Sequence, residues 1–328
     1  VVEAVIRIGR RALKNNVMVL FAVAAFIAIF FFNLPFPLIV LTAGIIGYIG
    51  GQRRPDLFTV TRGQQASQAK LAEEDAVIND YNAPTVRPSA GRAVRILAIG
   101  LVAWFTPLLV IALTLGVSTV FFQEGVFFSQ AAVVTFGGAY AVLAYIGQQA
   151  VNVYGWLMPS EMLDGLGMAE TTPGPLIMVV QFVGFMGAYR HPGAFDPIVA
   201  GVLGSVLTAW VTFVPCFLWI FLGAPYIENL RGNQYITSAL SAITASIVGV
   251  ILNLAVWFSL HTLFGTVDET YIGPLRIYSP VWATLDVVAL LIAIGAFIAL
   301  FRLKLSMPAT LAISAAAGII YFLLTGLS

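Results

Sequence analysis

Residues 197–222 read PIVAGVLGSVLTAWVTFVPCFLWIFL, a run without one charged side chain. Wound as an α-helix it would extend about 39 Å at 1.5 Å per residue. A hydrocarbon layer of roughly 30 Å needs only about 20 such residues, so this stretch spans a bilayer. Tyr235–Phe264 has the same character, with His261 as its one ionisable side chain apart from Tyr235. The whole chain follows suit, with 60% hydrophobic and 9% charged residues, where soluble domains carry about 25% charged. Such a surface cannot be solvated by water, and lipid must be its solvent. The apolar runs are continuous, not alternating segments of about 10 residues, which excludes a β-barrel. The sequence therefore predicts an all-α polytopic membrane protein.

Working outward, further apolar segments are Val1–Leu13, Val17–Phe32, Leu38–Gly50, Ile96–Phe122 with a kink at Pro107, and Val126–Gln149 interrupted at Gly137–Gly138. Then come Pro175–Tyr189, Val281–Phe301 and Pro308–Leu327. The polar stretch 51–95 carries much of the charge and reads as a linker, with a short surface helix over Gln64–Ile78. Loops rich in Lys and Arg stay cytoplasmic. Arg7–Lys14, residues 53–95 and Arg302–Lys304 mark that side, while the Asn33–Pro37 turn and the Gly265–Pro280 loop fall outside. Trp156, Trp257 and Trp282 read as interface anchors, Cys216 as a small core residue, and Asp286 as lying about a turn inside its helix.

The opening unit, Val1–Gly50, and the closing unit, about Ser246–Gly326, look like one module used twice. Ala28-Ile29-Phe30 followed by a Pro-led helix recurs as Ala299-Leu300-Phe301 followed by Pro308. The first copy ends inside and the second outside, which is the signature of inverted-topology repeat transporters with broken or re-entrant helices. Chance similarity between Ile-, Ala-, Gly- and Phe-rich helices is the competing explanation.

Four motifs occur in order: Phe136-Gly137-Gly138-Ala139-Tyr140, Gly155-Trp156-Leu157, Glu161-Met162-Leu163-Asp164-Gly165-Leu166 and Thr172-Pro173-Gly174-Pro175. In order and spacing this pattern resembles the chromate ion transporter family, and Gly184, Gly187 and Gly193 fit its glycine-rich continuation. The resemblance implies two such domains joined by a cytoplasmic linker. On that reading, 1–50 is the tail of a first repeat, 51–95 the linker, and 96–328 a connecting helix plus a second repeat. The chain thus looks like roughly the last three quarters of a long family member. The resemblance also implies transport of chromate across the inner membrane, with sulfate as a related substrate. A homodimer or a partner chain supplying the first half is the implied assembly.

The residues themselves point the same way. Pro175–Tyr189 covers only about 22 Å and must start inside the membrane. Thr171 and Thr172 can cap its first amides, and Pro173 and Pro175 suit a helix start. A helix N-terminus at depth offers free N–H donors and about half a positive charge, a place for a tetrahedral dianion. Gly137 and Gly138, after Phe136, would let backbone amides approach the same ion. The alternative is that these residues only kink helices and allow close packing. Glu161, Asp164 and Glu170 are candidates for a coupling proton, or the solvated acids of an interfacial helix. Arg190 reads as an anion-attracting mouth or a cap for its helix.

Other classes are poorly served. One cysteine and two histidines make a metal site improbable, and no cofactor, nucleic-acid partner or enzymatic activity is expected. No nucleotide-binding loop is present, so transport would draw on an ion gradient or the membrane potential. A non-transporting scaffold or half-module requiring a partner chain is the reading from a different class.

Overall fold

The computed structural model describes residues 2–58, 89–134, 139–171, 176–226 and 233–325. The expected surface helix at 64–78 lies outside them. The first helices are α1 (Val2–Ala12), α2 (Asn16–Phe30), α3 (Phe36–Arg53) and the single turn α4 (Pro55–Phe58). They are followed by α5 (Ala90–Thr114), α6 (Val120–Val134), α7 (Ala139–Gln148), α8 (Pro159–Thr171) and α9 (Val179–Arg190). Next come α10 (Pro197–Gly223), α11 (Gln234–Leu263) and a hairpin of β1 (Val267–Ile272) and β2 (Leu275–Pro280). The described chain closes with α12 (Val287–Phe301) and α13 (Met307–Thr325).

Four helices, α5, α10, α11 and α13, are long and apolar enough to cross a membrane. With the shorter apolar helices α2, α6 and α12, they make this an all-α polytopic membrane protein. The described helix α5 ends at Thr114, and a left-handed Gly116 (φ 96°) starts the turn into α6. The single span expected over Ile96–Phe122 is thus two helices. Leu113, Val102, Ile99, Ile319, Phe322 and Leu324 of α5 and α13 are all exposed. This is the surface that lipid, and not water, would cover.

Helix α11 is the buried column. α2 and α3 pack along it, and small residues set how close they come. A Cβ on Gly249 would overlap the Ala22 carbonyl, and one on Gly47 would fall 2.5 Å from the Ala242 Cβ. Met18 and Ala245 share one cluster, and Ala22 and Val248 another, so α2 runs parallel to α11. Gly44 meets Ile243 while Gly51 meets Ser238, so α3 runs antiparallel.

The α2–α3 and α12–α13 pairs share backbone features. α2 has 15 residues and α3 has 18, while α12 has 15 and α13 has 19. In the two connecting turns, the Leu34 amide donates to the Ala28 carbonyl (3.1 Å) and the Leu305 amide to the Ala299 carbonyl (3.0 Å). Asn33 (φ 51°) and Lys304 (φ 54°) occupy the same place in each turn, both left-handed. That conformation is uncommon for a residue with a side chain. The hairpins point in opposite senses. α2 ends against the β-hairpin, where the Arg276 amide donates to the Phe31 carbonyl (2.6 Å). α12 begins there, with the Asp286 amide donating to the Leu263 carbonyl (2.8 Å).

The Gly265–Pro280 loop is an antiparallel two-stranded hairpin with Val267 opposite Pro280 and Ile272 opposite Leu275. Gly273 (φ 61°) followed by Pro274 has the φ signs of a type II′ turn, whose twist matches that of the strands. Asp286 is the N-cap of α12, its Oδ1 accepting from the Val288 and Ala289 amides. It lies outside the helix and does not sit a turn within it.

Candidate functional site

The motif region folds as three short helices. α7, α8 and α9 contain 10, 13 and 12 residues, or about 15, 20 and 18 Å, and none can cross roughly 30 Å. A π-turn (Gln149–Val153) ends α7, and a 3₁₀ turn (Leu176–Met178) precedes α9. Gly147 of α7 lies over Met162 of α8, and Gly165 of α8 lies against Val179 and Phe182 of α9. α8 therefore runs antiparallel to both neighbours.

One end of the trio is closed by polar contacts. Arg190 Nη2 donates to Glu161 Oε1 (2.5 Å), and Arg190 Nη1 donates to the Trp156 carbonyl (3.2 Å). The other oxygen of Glu161 accepts the Met158 amide (2.8 Å), capping the start of α8. Beside them Gln148 donates to Asn33, which also receives Arg276 Nη1 (3.1 Å). This end therefore coincides with the β-hairpin end of α11.

From there α7 and α8 run inward along α11, whose 30 residues extend about 45 Å, more than twice the length of either. The 3₁₀ turn packs on α7 and α8. The antiparallel register brings the N-terminus of α7, the C-terminus of α8 and the entry to α9 together at the inner end. Two helix N-termini face that point with their partial positive charge, against one C-terminus.

Phe136, Gly137, Gly138, Thr172, Pro173, Gly174 and Pro175 lie outside the described residues, as does the Glu170 side chain. What is described is where their flanks go, and both motifs attach at the inner end. Glu161 and Arg190 are brought together, each the other's partner at the opposite end. Asp164 is exposed and does not join them.

If the Glu161–Arg190 contact closes this end, Arg190→Met and Glu161→Gln should each lower the melting temperature in detergent. Their double variant should lose less than the sum, by about 1–2 kcal/mol, since a hydrogen bond to a charged group is involved and both side chains are mostly buried. A double-mutant cycle with no coupling would remove the pair as a structural element.

Three expectations need correction. Trp156 is 1% exposed, stacked 4.3 Å from Tyr154 and packed on Phe127 and Phe128. Trp257 is buried too, and of these three Trp282, 75% exposed, suits an interface anchor. Aromatic partners on α6 take up the first ring, and the second lies against Phe258 and His261 of its own helix. Cys216 is exposed on α10 and not in the core, its thiol donating to the Thr212 carbonyl (3.2 Å).

Two residues escaped the sequence reading. Glu124 fell between two expected spans, but it sits in α6, completely buried. A lone carboxylate beside Gly125 inside an apolar run was the available signal. Arg276 read as one charge of an exposed loop. It is 2% exposed and donates to the Ile29 and Phe30 carbonyls (2.9 and 3.2 Å). No local pattern announces a contact between residues 246 positions apart.

Residues 122–319 match the family model described as Chromate transporter. A "Chromate transport protein" of Cupriavidus metallidurans is 32% identical over 129 residues, 39% of this chain and 29% of that protein. A "Probable chromate transport protein" of Synechococcus elongatus is 27% identical over 202 residues, 61% of this chain and 43% of that protein. A "Chromate transport protein" of Pseudomonas aeruginosa is 29% identical over 122 residues, 37% of this chain and 26% of that protein. The matches thus span less than half the length of these relatives. No solved structure matches the chain. With the family model covering more than half of the sequence, over the helices that build the motif region, the chain belongs to the chromate transporter family.

Proposed function

We propose that this chain transports a tetrahedral oxyanion, chromate in the first place and sulfate as a related substrate, outward across the inner membrane. The observation that carries the reading is the meeting of two helix N-termini at the inner end of the short-helix trio, where both motif segments attach. Free amides at the start of α7 and α9, with the backbone of Phe136–Gly138 and Thr172–Pro175, would bind the dianion. The ion gradient or the membrane potential would drive it. Residues 1–50 would be the tail of a first repeat, 51–95 a cytoplasmic linker and 96–328 the connecting helix with the second repeat.

The charge distribution supports that orientation. Arg10, Arg11 and Lys14 precede α2 at its start, and Arg53 and Arg54 end α3. Arg302 and Lys304 sit in the turn between α12 and α13. All belong at the end opposite the β-hairpin, as the positive-inside rule asks.

A second reading, a half-module completed by a partner chain or a second copy, has its own observation. α2 and α3 pack along α11, whereas α12 and α13 pack chiefly on each other and leave large aliphatic side chains exposed.

Chromate accumulation separates the two readings. Cells expressing this chain, and cells expressing a version extended by a full first repeat, are compared with cells expressing neither. Transport predicts lower accumulation with this chain, and the half-module predicts it only with the extension. Equal accumulation in all three would dismiss the transport assignment.

A further inference from the structure

The Glu124 carboxyl is a charge-bearing group left without company inside the helical bundle. The residue has no exposed surface, and neither carboxyl oxygen has a hydrogen-bond partner among the described residues. It projects from α6 into a notch between α9 and α10. A Cβ added to Gly187 would fall 2.5 Å from Oε1 and 3.1 Å from Trp156 Cγ, and one on Gly204 would fall 3.0 Å from Oε2. The two glycines therefore leave room for the carboxyl. The Ala188 backbone runs beside it but falls short of hydrogen-bond geometry.

Among the described residues, no group on the packed elements neutralises it. On α9, Arg190 is engaged with Glu161 of α8 and the Trp156 carbonyl, and Tyr189 is exposed against Phe185. On α10, Asp196 caps its own helix and Cys216 is exposed. On α5, Arg92 lies beside Phe221 and Leu222, about 25 Å along α10 from Gly204, with Arg95 one turn on. The Tyr145 and Tyr154 rings, from α7 and the turn after the π-turn, pack on Phe127. An ionised carboxylate in this place would lack a counter-charge among the described residues, with only the Ala188 backbone beside it, and such a group takes up a proton instead. A metal cation fits poorly, since hard cations collect several oxygen ligands and the notch offers glycine, alanine and indole.

We propose that Glu124 is a proton-binding site that couples anion movement to a proton gradient, holding its proton in this conformation and releasing it in the alternate one. The inference rests on the transport reading above. It moves the coupling role from Glu161, which Arg190 already neutralises, to a carboxyl one helical turn further in. Gly187, against the carboxyl, lies one turn before Arg190 on α9, so the Glu161–Arg190 pair stands between the site and the β-hairpin end. No bond other than that to the proton is made or broken.

The test uses the full chain in proteoliposomes with labelled chromate, with and without an imposed pH gradient. The wild type is expected to move chromate about tenfold faster with the gradient. Glu124→Gln, isosteric with the neutral acid, should keep exchange without a gradient and lose the acceleration. Glu124→Asp, which keeps an acid, should retain the acceleration at a lower rate and serves if Glu124→Gln fails to assemble. Infrared spectra of the solubilised wild type at neutral pH should show a protonated carboxyl band that Glu124→Gln lacks. A purely structural glutamate predicts equal acceleration in wild type and Glu124→Gln. That result, or a wild type indifferent to the gradient, or absence of the band, overturns this inference alone. A wild type that moves no chromate under any condition overturns the transport reading, and the coupling with it.

Discussion

Gly174→Leu is expected to abolish oxyanion transport while the protein still inserts and accumulates in the membrane. Gly174 lies between the last residue of α8, Thr171, and the 3₁₀ turn at Leu176 that leads into α9. On the proposed reading its backbone amide belongs to the cradle at the entry of a half-helix. A leucine side chain there would occupy the space an anion needs to reach the amides. A loss of tenfold or more, about 1.4 kcal/mol of binding or barrier at least, should appear as chromate accumulation equal to that of non-expressing cells. Pro175→Leu should behave alike, because it removes the residue that pre-sets the helix start. The control is the amount of chain recovered from the membrane. Wild-type transport in either variant, at equal amount, would leave the motif a packing device and take the anion site elsewhere.

The second large effect is on stability. Arg276→Met should cost about 2–4 kcal/mol and loosen the β-hairpin. The guanidinium reaches the C-terminal end of α2, where the Ile29 and Phe30 carbonyls and the Asn33 side chain accept from it. A cation there also complements the negative end of the helix dipole. Its carbon lies 4.9 Å from the centre of the Tyr278 ring. Burial pushes the Tyr278 phenol up from its ordinary range, with the Arg276 charge opposing. Methionine keeps much of the volume but leaves buried acceptors without donors, the expensive way to lose a hydrogen bond. Arg276→Lys keeps the charge without the planar fork and should fall between the two. Thermal unfolding in detergent measures the loss, and proteolysis between Phe264 and Asp286 reads the loosening. A melting temperature unchanged in Arg276→Met would show that the hairpin is held by other contacts.

Membrane class and the longest spans were legible because lipid imposes a local rule. Every spanning backbone must satisfy its own hydrogen bonds, so each span is one continuous apolar helix. Residues 197–222 and 235–264 obey it, and α10 and α11 begin and end within two residues of them. The likeness of Ala28-Ile29-Phe30 to Ala299-Leu300-Phe301 was legible, although similarity alone does not separate common ancestry from a shared lipid environment. The turns at Asn33 and Lys304 add a similar backbone conformation in hairpins of opposite direction. Misplaced boundaries fell where local signals conflict, as at Gly116, where an apolar run continues through a turn.

By itself the sequence determined the solvent, the spans, the shortness of the 175–189 helix and the family motifs, because each depends on neighbouring residues or on fixed spacing. The tertiary structure decided which polar groups lost their water. Arg276, Glu161 and Arg190 look like loop and interface charges in one dimension, and Glu124 looks like the edge of a span. Three are paired by helices that approach from distant parts of the chain. Glu124 is enclosed because Gly187 and Gly204 let α9 and α10 close around its carboxyl. Burial and pairing are properties of packed surfaces, and an isolated stretch of sequence carries no record of what packs against it.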